Sequence, residues 1–320
     1  MDGYWVWCGS IIRGDDGQYH MFASMWTKQV PFDWNWVTNS RIVRAVAPRP
    51  EGPYTYVEDV LPPREGGFWD GKMTHNPTIH RAGSTYLLFY TGTTYDDPIP
   101  THPVKHGDAI RLQARRNQRI GLATAPSPTG PWSRPDRPTL DVRPDKWDAF
   151  LTTNAAPCVA PDGSVLLYYK STTHDRDSLR YGIARAPHFR GPYERVGDVP
   201  IKWSEDGRAS YEDAYIWRED GEYRMLFNDL SGKITGEHHS GGYATSPDGL
   251  KWSLANPPQA YSRSNLLWDD GTVVAQGSLE RPQLLIQNGR PTHLICATAD
   301  GPGGYARAAH TWSTVIPLKP

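Results

Sequence analysis

The chain has 320 residues, and its 34 Lys+Arg against 35 Asp+Glu leave a formal net charge of -1, so it has no electrostatic footprint for nucleic acid or an anionic membrane. Its three cysteines cannot make a full disulfide set, and no stretch is apolar for long enough to cross a bilayer. Gly (30) and Pro (29) call for many turns, and 13 Trp among 12% aromatics exceed what a simple core requires.

Two motifs alternate along the chain. The first is an apolar run, a tight turn and a second apolar run: CGSIIRGDDGQYHMFASMW from Cys8, HNPTIHRAGSTYLLFYTG from His75, NAAPCVAPDGSVLLYYKS from Asn154, EDAYIWREDGEYRMLFND from Glu212 and ERPQLLIQNGRPTHLICATA from Glu280. Its turns are DG, AG, DG, DG and NG, dipeptides that tolerate the positive φ of tight hairpins. The second motif closes on an aromatic: SRIVRAVAPRPEGPY (Ser40 to Tyr54), QRIGLATAPSPTGPW (Gln118 to Trp132), LRYGIARAPHFRGPY (Leu179 to Tyr193), then the shorter SGGYATSPDGLKW (Ser240 to Trp252) and GGYARAAHTW (Gly303 to Trp312). Each unit reads as four short antiparallel strands. Five units of roughly 60 residues predict an all-β, five-bladed β-propeller forming one domain over 1–320.

Blades should begin near Tyr4, Thr74, Thr153, Tyr211 and Leu279, with Ser313 to Leu318 as the last outer strand. The closing aromatics Tyr54, Trp132, Tyr193 and Trp252 should pack between sheets. Cys8, Cys158 and Cys296 fall within strands and read as buried thiols. No basic-then-apolar leader precedes the first hairpin, so a cytosolic chain, or a trimmed secreted or periplasmic one, is expected.

In a propeller the first strand of each blade lines the axis, so the residues opening those strands converge. Aligning Pro77, Pro157, Ala214 and Pro282 gives the opening pairs His75-Asn76, Ala155-Ala156, Glu212-Asp213 and Glu280-Arg281, with Cys8-Gly9 in blade 1. The crossings into the blades read FWDGKMTHN (from Phe68), KWDAFLTTN (from Lys146), KWSEDGRASYED (from Lys202) and LWDDGTVVAQGSLER (from Leu267), a Trp closely followed by an acid each time. Either the Trp wedges between blades while the acid caps the loop, or Asp70 and Asp148 reach the pocket rim. His75, Asn76, Asn154, Lys170, Asp213, Glu280, Arg281 and Arg119 are candidate ligand-binding groups, with Trp7 and Trp69 offering ring faces. The blade 2 insertion Thr94 to Gln118 and the blade 1 loop Thr27 to Asn39, which carries Trp34 and Trp36, should lie on the same face as lid or subsite wall. His238-His239 with Glu237 lacks the convergent spacing of a metal site, and none is assigned.

The five-fold pattern, the A-x-S/P-x-x-x-GPW strand and the carboxylate opening the first strand of blade 4 resemble the five-bladed glycoside hydrolases, among them family 43, family 117 and their relatives. The resemblance spans nearly the whole chain. It implies carbohydrate degradation, with a carbohydrate as the partner. In family 43 a base on blade 1, a modulating Asp on blade 3 and an acid Glu on blade 4 carry the reaction. Glu212 matches the acid, standing two residues before Ala214, whereas the aligned base and modulator positions offer Gly9-Ser10 and Ala156. The resemblance requires no cofactor and allows a calcium or other cation in the axial channel.

Cleaving a glycosidic bond needs a proton donor, held protonated by burial or a neighbouring charge, and a base or nucleophile. The expectation is an exo-acting hydrolase with Glu212 as donor, beside Asp213 and Glu280, and Asp70 as partner carboxylate, ahead of Asp148. Two other classes stay open. One is a phosphorylase or lyase using the cations Arg281, Arg119, Lys170 and His75; the other is a carbohydrate-binding propeller without catalysis. No phosphate-cradling Gly-rich loop is present.

Overall fold

A computed structural model describes residues 1–175, 177–201, 203, 209–301 and 304–319. Blade 1 is β1 (Tyr4–Arg13), β2 (Tyr19–Thr27), β3 (Arg41–Ala47) and β4 (Thr55–Leu61), antiparallel in that order, with the short α1 (Trp36–Asn39) between β2 and β3. Blade 2 is β5 (Met73–Ala82), β6 (Thr85–Thr93) and β7 (Arg119–Ala125), with α2 (Ala109–Arg116) inserted before β7 and two isolated bridges, Thr124 to Ser133 and Ile120 to Leu140, where a fourth strand would run. Blade 3 is β8 (Thr153–Val159), β9 (Val165–Ser171), β10 (Arg180–Ala186) and β11 (Glu194–Arg195). Blade 4 is β12 (Tyr211–Glu219), β13 (Glu222–Asp229), β14 (Ser240–Ser246) and β15 (Ser253–Tyr261). After a small hairpin, β16 (Leu266–Leu267) with β17 (Val273–Val274), blade 5 is β18 (Ser278–Gln287), β19 (Arg290–Ala299) and β20 (Thr311–Pro317).

The first strands β1, β5, β8, β12 and β18 touch one after another, and β1 also meets β20, so the ring closes on itself. At the seam the Gly9 N–H donates to Ser313 Oγ (2.9 Å) and the Val6 N–H to Thr311 Oγ1 (3.1 Å). All five blades begin within one residue of the expected positions. The C-terminal segment differs: it is the third strand of blade 5, not a fourth, because β20 pairs directly with β19. Of the fifth closing motif, Gly303 lies outside the described residues and Tyr305–Arg307 form a single 3₁₀ turn.

The repeats have local physical causes. Gly52, Gly130 and Gly191 adopt φ of 94°, 89° and 89° in the GPY/W turns, a left-handed region closed to most side chains. In the third strands Gly121, Gly182 and Gly242 stand opposite Tyr90, Tyr169 and Phe227, and any side chain there would collide with those rings or with Trp69. Trp69, Trp147 and Trp203 from the crossings stack on the same three aromatics at 5.5, 6.0 and 5.5 Å. The core lies between adjacent blades. Leu87, Phe89 and Leu122 of blade 2 meet Val165, Leu167 and Tyr169 of blade 3, and Trp132 reaches Phe22 of blade 1 at 5.5 Å. Cys8 and Cys296 are buried free thiols and Cys158 is half-buried.

Candidate active site

One backbone device repeats at the axis. Cys8, Asn76, Asn154, Asp213 and Arg281, one per first strand, have φ of 58°, 52°, 50°, 60° and 54°. Each blade's register with its second strand breaks at this point. A left-handed non-glycine residue costs on the order of 1–3 kcal/mol and persists where its surroundings over-determine it. Here the side chains do so by bonding to one another. Cys8 Sγ lies 2.8 Å from Asn76 Oδ1, Asn76 Nδ2 donates to Asn154 Oδ1 (2.7 Å), Asn154 Nδ2 donates to Asp213, and Arg281 Nη1 lies 3.4 Å from the same Asp213 oxygen. This register corrects two of the expected opening pairs. Blade 3 presents Thr153-Asn154 rather than Ala155-Ala156, and blade 1 presents Trp7-Cys8 rather than Cys8-Gly9.

The residue before each left-handed position faces a cavity of about 320 Å³ in blades 1, 2, 4 and 5: Trp7, His75, Glu212 and Glu280. Oxygens of Glu212, Asp213 and Glu280 lie within 4.8 Å of one another. Their surroundings separate them. Burial raises the Glu212 carboxyl, but the Lys170 ammonium bonded to it, with Arg115 and His239 nearby, outweighs burial and holds it below the usual value. Burial and the Glu212 charge push Asp213 up to about 7 against Arg281 and Lys170. Burial also raises Glu280, although the His239 ring lies 2.8 Å away. Burial opposes charge on His239, yet Glu280 and Glu212 raise it above its ordinary value. Glu280 and His239 are therefore an adjacent acid and base, each raised above its ordinary value. Glu212, with 17% of its side chain exposed, stays ionised.

The other walls come from loops. Trp26, Phe32, Trp34, Trp36 and Tyr305 make an aromatic side, with Phe32 4.9 Å from Trp7 and 5.6 Å from Tyr305. His75 stacks on Trp36 at 4.6 Å and has Ser40 Oγ 2.8 Å from its Nδ1. Burial, with Arg281 and Lys170 nearby, keeps its imidazole well below the ordinary value and hence neutral. The insertion expected as lid or subsite wall forms α2, whose Arg115 lines the cavity. Arg111 pairs bidentately with Asp175 of blade 3 (2.9 and 2.7 Å) while its guanidinium covers Trp34 at 4.5 Å, and Arg115 adds a 3.1 Å bond to Asp175. Asp33, on the same blade 1 loop, lines the cavity half-buried. Burial raises its carboxyl against the Trp34 N–H, His106 and Arg111.

The cavity lining thus gathers Trp7, His75, Asn76, Asn154, Lys170, Glu212, Asp213 and Glu280 of the sequence-derived candidates. Five others lie elsewhere. Asp70 is fully buried between Arg64 Nε (2.7 Å), the Tyr90 hydroxyl (2.8 Å) and Arg134 Nη1 (3.4 Å). Asp148 is equally buried between Arg143 Nε (2.9 and 3.1 Å), the Tyr169 hydroxyl (2.8 Å) and Arg195 Nε (3.3 Å). Both are inter-blade anchors beneath the crossing Trp, and neither reaches the pocket. Trp69 is spent on Tyr90, and Arg119 pairs with Asp141 away from the cavity. Arg281 is wholly buried under the ring. The cationic set expected to hold phosphate or a uronate is therefore dispersed. Glu205 and Asp206 of the blade 4 crossing lie outside the described residues. Asp33, Asp175 and Tyr305 were not singled out as site residues in the sequence, and His239 was weighed only as half of a metal pair. Asp33 carried one signal, an acid flanked by loop aromatics.

A larger hollow, about 1130 Å³, opens at the opposite axial end around the hairpin turns, contrary to the expectation of a deep cleft at the first-strand starts alone. Ile11, Ile79, Pro157, Tyr215, Ile216 and Leu285 make it mainly apolar. Among the described residues, the carboxylates converge only at the smaller cavity. As for an axial cation, the residues present do not fit one. Each acid already has a cation, Lys170 for Glu212, Arg281 for Asp213 and His239 for Glu280.

No protein-family model matches the chain. The uncharacterized protein Rv1502 of Mycobacterium tuberculosis is 26% identical over 221 residues, 68% of this chain. The match spans 66% of that relative's length. Among solved structures a BT0996–RGII complex aligns with TM-score 0.71 and 14% identity, covering 100% of this chain and 88% of that one. Zg3597, a family 117 glycoside hydrolase from the marine bacterium Zobellia galactanivorans, aligns at 0.65 and 14%, covering 98% and 84%. CoXyl43, a family 43 β-xylosidase/α-arabinofuranosidase from a compost metagenome in complex with xylotriose, in a calcium-free form, aligns at 0.62 and 14%, covering 100% and 92%. At these identities the likeness is one of fold.

Proposed function

We propose that the chain is an exo-acting glycoside hydrolase working in the axial cavity, with Glu280 and its partner His239 as proton donor and Asp33 as base. The observation that carries this reading is the division between two equivalent carboxyls on adjacent first strands: Glu212 is held ionised by Lys170 while Glu280 is pushed up by burial. Carboxyls driven apart in this way take opposite roles. We assign the donor role to Glu280 in place of the expected Glu212, because the Lys170 ammonium bonded to Glu212 favours its ionised form. Glu212 instead accepts sugar hydroxyls and stabilises positive charge at the anomeric centre.

In the reaction the Glu280–His239 pair gives its proton to the glycosidic oxygen, which keeps the electron pair of the breaking bond to the anomeric carbon. A water attacks that carbon and loses its proton to Asp33. For an inverting reaction the base comes from outside the carboxylate cluster, because an intervening water needs carboxyls ~6.5–9.5 Å apart and the cluster oxygens lie within 4.8 Å. Of the remaining cavity acids, Asp175 is bound by two arginines and Asp177 is exposed, which leaves the half-buried Asp33. The exo mode is supported by the cavity's size, near the lower end of the ~300–1,000 Å³ usual for ligand pockets, and by the wall that α2 builds across it. Inversion of the anomer is the expected stereochemistry.

The test is a panel of aryl glycosides and plant, algal and bacterial oligosaccharides, with products read by mass spectrometry. No turnover across the panel defeats the reading. On an active substrate, Glu280→Gln should lose ~10²–10⁴-fold, and less where the leaving group is good. Glu212→Gln should lose activity equally on both kinds of substrate. A leaving-group dependence found for Glu212→Gln and not for Glu280→Gln returns the donor role to Glu212.

A further inference from the structure

We propose that Arg281 is a tethered axial cation, a guanidinium standing where a divalent ion would otherwise hold the inner strands, and that removing it uncovers a divalent-cation site of oxygen ligands. The inference does not depend on the hydrolase reading.

The five left-handed residues form a directional chain of donors. Cys8 leads to Asn76, Asn76 to Asn154, and Asn154 to Asp213, which only accepts. Arg281 closes the circuit from blade 5. Its Nη1 lies 3.4 Å from Asp213 of blade 4, and its Nη2 donates to the Asn76 carbonyl of blade 2 at 3.1 Å, so the guanidinium bridges three blades across the axis. The side chain is completely buried, and its Nε finds no partner among the described residues. A buried guanidinium that leaves a donor unsatisfied is costly. What it supplies in return is charge, beside three carboxylates whose oxygens lie within 4.8 Å of one another. Without it, the Asp213 carboxylate, the Asn76 carbonyl, the ring amide oxygens and the Glu212 and Glu280 carboxylates remain around the axis. These are hard oxygen donors of the kind calcium takes in six- to eight-fold, flexible coordination. Magnesium, which demands a tighter octahedron, fits such a ring less well.

The experiment compares wild type with Arg281→Ser in the full chain, reading thermal unfolding and calorimetric Ca²⁺ binding with calcium, magnesium or chelator present. The wild type should show the same Tm in chelator and in calcium and no stoichiometric calcium binding. Arg281→Ser in chelator should lose roughly 5–15 °C. Calcium should restore more than half of that loss with one ion bound per chain, and magnesium less. A chelator-sensitive wild-type Tm with bound calcium, or an Arg281→Ser Tm indifferent to calcium, overturns the proposal. If Arg281→Ser does not accumulate folded, it is refolded from denaturant with calcium or with chelator. Recovery only with calcium supports the proposal, and failure in both overturns it. Arg281→Lys keeps the charge without the fork and should remain indifferent to calcium; a calcium-dependent Tm in this variant counts against the tethered-cation role.

Discussion

Two sets of acids recur around this ring, and they behave in opposite ways. Asp70 and Asp148 follow the crossing tryptophans, each clamped by two arginines and a tyrosine hydroxyl and each fully buried. Glu212 and Glu280 open first strands, each with a single cation beside it and a face on the cavity. The first set follows the repeat of the fold. The second breaks it, because the equivalent positions in the other blades are Trp7, His75 and Thr153. Sameness from blade to blade marks what every blade needs in order to pack. Chemistry is found where one blade departs from the others at a position the backbone holds in common.

The largest test of that contrast falls on the anchors. Asp70→Asn removes the charge that balances Arg64 and Arg134, and breaking a buried pair costs about 3–5 kcal/mol. The expected outcome is a Tm lower by roughly 5–15 °C, while kcat of the remaining folded protein stays near wild type. A selective loss of kcat with an unchanged Tm would give Asp70 the catalytic part that its burial denies it.

Asp33 should show the reverse. It lines the cavity on a loop and no other side chain pairs with it among the described residues, so Asp33→Asn should leave Tm within a degree or two. Activity should fall by at least ~10²-fold. Burial raises this carboxyl, so the acid limb of the wild-type pH–rate profile should lie above the ~3.9 of an ordinary Asp. Asp33→Asn should abolish that limb while retaining binding of the sugar product, read by tryptophan fluorescence. An unchanged acid limb on an active panel substrate would remove Asp33 from the mechanism without touching the hydrolase reading.

How much of this was legible in the sequence follows from where partners come from. The blade count and starts were legible because hairpin turns and GPY/W closures are local chemistry. The register of blade 3 was not. Pro157 invites alignment with Pro77, whereas the feature actually shared is a left-handed residue, and Asn154 occupies it. Glu212 and Glu280 could be found as strand openers, but their division of charge could not. Lys170 reaches Glu212 from β9, and His239 reaches Glu280 from just before β14 of the preceding blade, contacts that only the ring creates. Asp70 misled for the same reason. The sequence carries the Trp-Asp repeat, while Arg134, one of the two arginines that explain it, comes from 64 positions away.

Asp213 lies between the two sets, buried like an anchor yet part of the cavity cluster, and it offers the smallest and finest test. Burial and the Glu212 charge lift its carboxyl to about 7, outweighing Arg281 and Lys170. In the unfolded chain the same group titrates near ~3.9. The folded state therefore binds this proton more tightly. Its contribution to stability is full below about pH 4 and is lost as pH rises through about 7. Across that window wild-type stability should decline by at most about 1.4 kcal/mol per pH unit from this group. Asp213→Asn has no proton to release, so its unfolding free energy, measured by urea titration at successive pH values, should be flatter between about pH 4 and 7. Its absolute stability should be lower above about pH 7, where wild-type Asp213 is ionised and gives Arg281 its counter-charge. A decline as steep in Asp213→Asn as in wild type would assign the titration in that window to another member of the carboxylate cluster, and would move the boundary between the ring that holds the blades and the wall that does the chemistry.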